Sequence, residues 1–276
     1  MNKTLRLFVS AVVVSFISIS ANATLTHQYT FNDGTVDDSM GSANGTLMNG
    51  ATVSGGQLVL PTGMDAYASL PGPTIGINAY TAATFEIWFT SSSANTSYTM
   101  AMMLGRSFDV NIDGTSNGGP FPDGDTWRGI AYVMIQPTRN AGPAAGRVAI
   151  TATSFEDEAG VNNATQINDD MQHYVAVTVD ASDITFYLDG GLVGSAALGA
   201  ISLADVSPDL AYLGRSNYPD PYFKGSINEF SVWDNVLSPA EISANFGAGP
   251  VIPEPSTFAL FALGLGGLLA FRHRSA

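Results

Sequence analysis

Glu156-Asp157-Glu158 is the densest acidic cluster in the chain, and paired carboxylates are the basic equipment for cleaving a glycosidic bond. Retaining glycosidases hold two such groups about 5–5.5 Å apart across the scissile bond. On a strand, Glu156 and Glu158 share one face while Asp157 takes the other, at the edge of that spacing. Ala159-Gly160 and Asn162-Asn163 follow at once and mark a loop, which favours a solvated acidic cluster over a catalytic pair. Asp109-Val110-Asn111-Ile112-Asp113-Gly114 has oxygens at alternate positions and glycine at the sixth, as a calcium loop begins. Its twelfth position is Pro120, which cannot be a bidentate ligand. Phe108, Val110 and Ile112 also alternate as a strand does, so strand and turn compete with the ion reading, with Asp123 and Asp125 nearby. No Gly-x-Ser-x-Gly elbow stands beside a base. His27 falls inside a strand pattern and His173 at a strand entrance, and both read as structural. Trp127, Tyr218 and Tyr222 lie in loops rich in Gly, Pro and Asp. There their rings can stack on sugar faces or plug the ends of a sandwich.

The elements that must position these residues are short, alternating β-branched and aromatic runs. Leu25, His27, Tyr29 and Phe31 alternate with Thr26, Gln28 and Thr30, and Phe85, Ile87 and Phe89 alternate with Glu86, Trp88 and Thr90. Further runs are 129–135, 147–153, 174–179 and 227–233. Ile184–Leu188 passes through Asp189-Gly190 into 191–196, a hairpin signal because a tight primed turn needs positive φ. Roughly a dozen such runs predict an antiparallel all-β sandwich. One helix is signalled: Ser238 caps it, Pro239 opens it, Glu241 completes the capping box, and it ends near Phe246-Gly247.

The two ends carry addresses. Lys3 and Arg6 precede an apolar run, Leu7 to Ile19, and Ala21-Asn22-Ala23 offers a small-x-small cleavage site. Residues 1–23 therefore read as a secretory signal peptide and the mature chain as starting near Thr24. At the other end, residues 256–271 are apolar, and a helix there rises about 24 Å, slightly short of a typical span. Arg272 and Arg274 stop it and keep the C-terminus inside, which leaves residues 24–249 outside the inner membrane. Between the signals the chain keeps 6 basic against 23 acidic residues. Such a surface repels nucleic acid, which is excluded as a partner, and attracts divalent cations. With no cysteine, core packing and bound ions must supply what disulfides often supply.

Val251-Ile252-Pro253-Glu254-Pro255-Ser256, the apolar segment and the basic cluster together resemble the PEP-CTERM sorting signal of Gram-negative bacteria. The resemblance covers residues 250–276, with Pro253, Glu254 and Pro255 as the motif. It implies processing by an exosortase and a host that makes extracellular polysaccharide. The alternative is an ordinary tail anchor after a proline-rich linker.

A second resemblance is carried by His173–Asp180, Ile184–Gly190, Tyr212-Leu213-Gly214-Arg215-Ser216, Phe223–Trp233 and Leu237–Ile242. Tyr29–Gly34 and the Gly-rich stretch to Gly45 fit it as well. These segments resemble the LamG-like jelly roll of the concanavalin A-like lectin/glucanase superfamily, over nearly all of residues 24–249. The resemblance implies a sandwich of two curved antiparallel sheets. It leaves function open, because the fold carries lectins, glycosidases and adhesion modules. In related jelly rolls an aspartate stands where this chain has Asn228 and helps hold a structural calcium, which implicates Asn228 and Asp33 here. Asn228 shares strand parity with Phe230 and Val232, so its amide is expected inside. Related sequences also carry tryptophan at the position of His173, and the Glu-x-Asp-x-x-Glu arrangement of laminarinase-type relatives is missing. These features imply an exported, non-catalytic envelope or matrix protein that binds glycan or mediates adhesion. The alternatives are a glycoside hydrolase or polysaccharide lyase on the same scaffold, and a purely structural module.

Overall fold

The computed structural model describes residues 22–107, 129–140 and 145–252. The signal-peptide run before residue 22, the candidate calcium loop, Trp127, the motif Pro253 to Pro255, the span 256–271, Arg272 and Arg274 lie outside the described residues.

In chain order the strands are β1 (Leu25–Tyr29), β2 (Thr46–Met48), β3 (Thr52–Ser54), β4 (Gln57–Leu60) and β5 (Tyr67–Leu70). Next come β6 (Ala83–Ser91), β7 (Met102–Ser107), β8 (Gly129–Gln136), β9 (Arg147–Thr151) and β10 (Ala159–Asn162). The last five are β11 (Gln172–Val179), β12 (Asp183–Leu188), β13 (Gly191–Ala197), β14 (Leu210–Leu213) and β15 (Gly225–Trp233). One sheet runs β13-β12-β11-β6-β15-β4-β3, with β1 also bonded to β15; the other runs β10-β9-β8-β7-β14-β5-β2. All the pairings between these strands are antiparallel.

Alternation explains the shared core. Phe85, Ile87 and Phe89 of β6 face Val133 and Ile135 of β8 and their neighbours across a dry interior, all fully or almost fully buried. Each such side chain contributes roughly 1.5–3 kcal/mol by leaving water. The expected hairpin forms: Asp189 and Gly190 take φ of 50° and 75° between β12 and β13, as a primed turn requires.

β15 organises its sheet. One edge pairs with β6 along the strand; the opposite edge pairs with β4 over Gly225–Ile227 and with β1 over Phe230–Trp233. Between them the register slips, with Ile227 opposite Phe89 and Glu229 opposite Trp88. This bulge at Asn228 inverts the parity on which its inward orientation was expected. Ile227 takes the inward place, and the Asn228 amide lies on the exposed outer face, accepting a hydrogen bond from Gln172 Nε2 at 2.9 Å.

The predicted helix runs over Pro239–Ala248, with Ser238 and Glu241 closing the capping box. It covers the outer face of the β6 sheet, so Glu86 is buried rather than solvated. The carboxylate accepts from Trp233 Nε1 at 2.6 Å, from Asn245 Nδ2 at 2.8 Å and from the Tyr174 hydroxyl. Phe246 stacks on Trp88 at 5.8 Å and leans on Tyr174 at 6.0 Å. Burial raises the Glu86 pKa, and the three hydrogen bonds oppose that rise. Glu86→Ala leaves three donors without an acceptor, at about 1–3 kcal/mol for a buried unsatisfied group. A loss of roughly 2–4 kcal/mol in urea denaturation is expected, and a loss below about 1 kcal/mol would mean that the helix docks without this carboxylate.

Candidate functional site

A cleft of about 470 Å³ opens where the β4–β5 loop meets the loop from β14 to β15. The first loop contributes Gly63, Met64 and Asp65; the second contributes Pro219, Asp220, Pro221, Tyr222 and Lys224. Two glycines let the second loop sit close to the sheet. A Cβ at Gly214, φ 87°, would stand 2.3 Å from Leu60 Cδ1, and one at Gly225, φ 141°, would stand 2.0 Å from the Thr90 carbonyl oxygen. The loop is closed between them, with the Phe223 N–H on the Gly214 carbonyl at 3.0 Å. Asn95 then fastens its end, its Nδ2 donating to the Lys224 carbonyl at 2.8 Å and its Oδ1 accepting the Lys224 N–H at 3.0 Å.

Tyr222 is positioned from behind. The Arg215 guanidinium lies 4.8 Å from the Tyr67 ring centre, 4.7 Å from that of Tyr212 and 5.8 Å from that of Tyr222. It donates to the Tyr67 hydroxyl at 2.9 Å. Tyr67 meets Tyr212 edge-on at 5.2 Å and Tyr222 at 5.9 Å. Cation–π contacts of this kind contribute about 0.5–2 kcal/mol each, so the ring is held firm without a covalent link. Asp220 accepts from Ser216 Oγ at 2.8 Å; burial pushes its carboxyl up to about 6, against the pull of that hydrogen bond. The cleft thus offers an aromatic face, two proline faces, two carboxylates and an ammonium, a set that can stack on a sugar ring and bond to its hydroxyls.

Of the expected loop aromatics among the described residues, Tyr222 lines this cleft and Tyr218 does not. Tyr218 lies against the outer face of the second sheet, edge-on to Tyr132 at 5.9 Å, its hydroxyl 3.1 Å from Ser154 Oγ and 3.3 Å from the Tyr132 hydroxyl. The acidic cluster resolves there too. Glu156 and Asp157 sit in a short 3-10 turn over Phe155–Asp157 before β10 begins, so Glu156 and Glu158 do not share a strand face. Glu158 is committed, accepting from Arg147 Nε and Nη2 at 3.0 and 2.8 Å and from the Tyr132 hydroxyl.

The two histidines among the described residues are fixed by carboxylates. His27 Nδ1 is 2.7 Å from Asp38 Oδ2, and Asp38 also accepts the N–H groups of Gln28, Met40 and Ala43. Burial pushes the Asp38 carboxyl up, but these bonds outweigh it and hold it below the ordinary range. His173 bridges Asp189 at 2.8 Å and Asp169 at 3.2 Å.

Asp33 is exposed and accepts from the Thr35 N–H at 2.9 Å and hydroxyl at 2.8 Å. It follows β1 on one side of β15, whereas the Asn228 amide reaches across β6 to Gln172 of β11 on the other. Among the described residues, no three His, Cys, Asp or Glu side chains gather as a metal site.

The chain can now be set beside known proteins. Residues 62–243, about two thirds of it, match the concanavalin A-like lectin/glucanases superfamily, and the chain belongs to that superfamily. Residues 251–275 match the PEP-CTERM protein-sorting motif. Among solved structures, domain 4 of AbnA, a GH43 extracellular arabinanase from Geobacillus stearothermophilus in complex with arabinotriose, is similar. It has a TM-score of 0.60 at 18 % identity, over 81 % of this chain and 98 % of that one. A botulinum neurotoxin type C structure, described through cell entry that depends on two ganglioside molecules, reaches 0.57 at 13 % identity, over 82 % and 51 %. The serotype G binding domain reaches 0.56 at 10 %, again over 82 % and 51 %. At such identities the likeness is one of fold, the jelly roll of two antiparallel sheets. No curated protein matches the chain in sequence.

The raised pKa of Asp220 has a definite sign. Its neutral form is the one the fold favours, so that contribution is complete below the unfolded value near 4 and is lost as pH rises through about 6. Asp220→Asn should therefore gain stability relative to the wild type between pH 4 and 7. A gain on the order of 1–2 kcal/mol is expected, once partial solvent access is allowed for. Parallel urea titrations at the two pH values check it, and an unchanged difference would show that Asp220 titrates normally.

Proposed function

We propose that this member of the concanavalin A-like lectin/glucanases superfamily is an exported, non-catalytic surface protein that holds glycan in the cleft at Tyr222. The observation that carries the reading is the cleft itself: an aromatic ring fixed by Arg215, with Asp65, Asp220 and Lys224 around it. Sugar rings present apolar C–H faces to aromatic side chains and hydroxyls to carboxylates and ammonium groups, so each lining group has a counterpart. The acidic surface between the two signals disfavours polyanionic chains, which points to a neutral polysaccharide. Two similar folds lend support, since the arabinanase domain is described with arabinotriose and the neurotoxin with gangliosides.

The sorting motif supplies the address. In this reading the chain is exported, held in the inner membrane by its C-terminal segment, and passed by an exosortase to the cell surface or the extracellular polysaccharide matrix. The commitment of Glu158 to Arg147 and Tyr132 weighs against glycosidase chemistry at the acidic cluster.

Full-length protein in detergent, applied to a glycan array and to matrix fractions, tests this. Selective binding is expected, with Tyr222→Ala weakening it about tenfold or more, or roughly 1.4 kcal/mol, while the unfolding midpoint stays close to the wild type. Equal binding by Tyr222→Ala would remove the cleft from the proposal, and indifference to all glycans would leave protein adhesion. A parallel series in EDTA addresses structural calcium. Loss of binding there would support a structural ion, and unchanged binding would remove calcium from the reading.

A further inference from the structure

The last described residues before the sorting motif do not hang free. The helix ends at Gly249, φ 76°, and the chain then lies back on the sheet. The Val251 N–H donates to Glu229 Oε2 at 2.8 Å, and the Val251 carbonyl accepts from Asn32 Nδ2 at 2.9 Å. Both main-chain groups of one residue are therefore taken, by side chains from β15 and from the segment after β1. Glu229 is itself held, its other oxygen accepting from Gln28 Nε2 at 2.9 Å and Ser231 Oγ at 3.0 Å. Upstream, Phe246 and Asn245 fix the helix on Trp88 and Glu86. Covalent connectivity brings Pro253 only two residues beyond Val251.

A processing enzyme needs several residues of extended backbone with free N–H and C=O groups on both sides of the bond it attacks, because it reads the chain much as an added strand. We propose that Asn32 and Glu229 form a clasp that holds residues 249–252 to the folded sheet and so limits a processing enzyme's access to the adjoining motif Pro253-Glu254-Pro255. With the clasp closed, the backbone of Val251 is withheld from a processing enzyme. The chemistry of processing is unaltered: one peptide C–N bond breaks, the acyl carbon passes to water or an acceptor nucleophile, and the departing nitrogen takes up a proton. What the clasp changes is how often the substrate segment is presented. Two exposed hydrogen bonds are weak enough to open on their own, since a net contribution of about 0.5–1.5 kcal/mol each is usual.

This inference rests on the sorting reading, and the experiment separates the two. The full-length chain is purified in detergent and given limiting proteinase K, with cut positions read by mass spectrometry. In the wild type, cuts within 249–252 are expected to be slow. In the double variant Asn32→Ala, Glu229→Ala, cuts within 249–252 should appear at least tenfold faster. Glu229→Gln, which keeps an acceptor oxygen, should behave like the wild type, and the unfolding midpoints set aside any variant that has lost its fold. In cells of the native host, the double variant should convert precursor to product several-fold faster in a pulse-chase. Unchanged cut positions and rates in the double variant would overturn the clasp. A wild-type precursor that is never processed would instead overturn the sorting reading, with the proteinase K result still deciding the clasp.

Discussion

The hydrogen-bond ladder between β15 and β6 is the contact on which the functional features of this molecule depend. β15 receives the loop that lines the cleft at its first residue, Gly225, and pairs with β4 and β1 on its far edge. It sends Trp233 to the buried Glu86 of β6 at its end. With no cysteine in the chain, this ladder and the apolar layer beneath it replace covalent cross-links. A slip of one residue would carry Phe230 and Val232 out of the core. The bulge at Asn228 is tolerated because it lies where the partner on the far edge changes from β4 to β1.

Polar groups in the described structure are used chiefly to tie distant segments together. Glu86 collects donors from β11, β15 and the helix, Asp38 collects three N–H groups and an imidazole from the N-terminal turns, and Asn95 bonds across to Lys224. Arg215 gathers three tyrosines from separate strands and loops. Glu86, Asp38 and Asn95 are buried groups with several hydrogen-bond partners each, the condition under which burial of polarity adds specificity to a fold rather than costing it stability.

Much of this was legible in the sequence, for a physical reason. Where one face of a strand is buried and the other is not, period two survives in the residue types, and β1, β12 and β15 could be read directly; β6 and β11 are buried on both faces and showed instead as β-branched and aromatic runs. The hairpin at Asp189-Gly190 and the capping box at Ser238 are local chemistry and were equally plain. Short edge strands such as β2, β3 and β10 leave too few residues for a period to show. Asn228 was misread because parity counts assume an unbroken ladder, and a bulge is set by pairing across the sheet. Glu86 looked like a solvent residue. Its neighbour Trp88, an apolar residue on the same outer face, was the available sign that something covers that face. Tyr222 could be singled out as a loop aromatic, but Asp65 and Met64 lie far away in sequence, and only the closed sandwich puts them beside it.

The antiparallel run of β15 against β6 also decides how the molecule carries load. The cleft lies just before Gly225, and the path to the C-terminal segment leaves just after Trp233, at the opposite end of the same strand. A pull between a matrix-bound ligand and an anchored C-terminus would therefore travel lengthwise along β15. The rungs on both of its edges would be strained together in shear, instead of peeling open one after another.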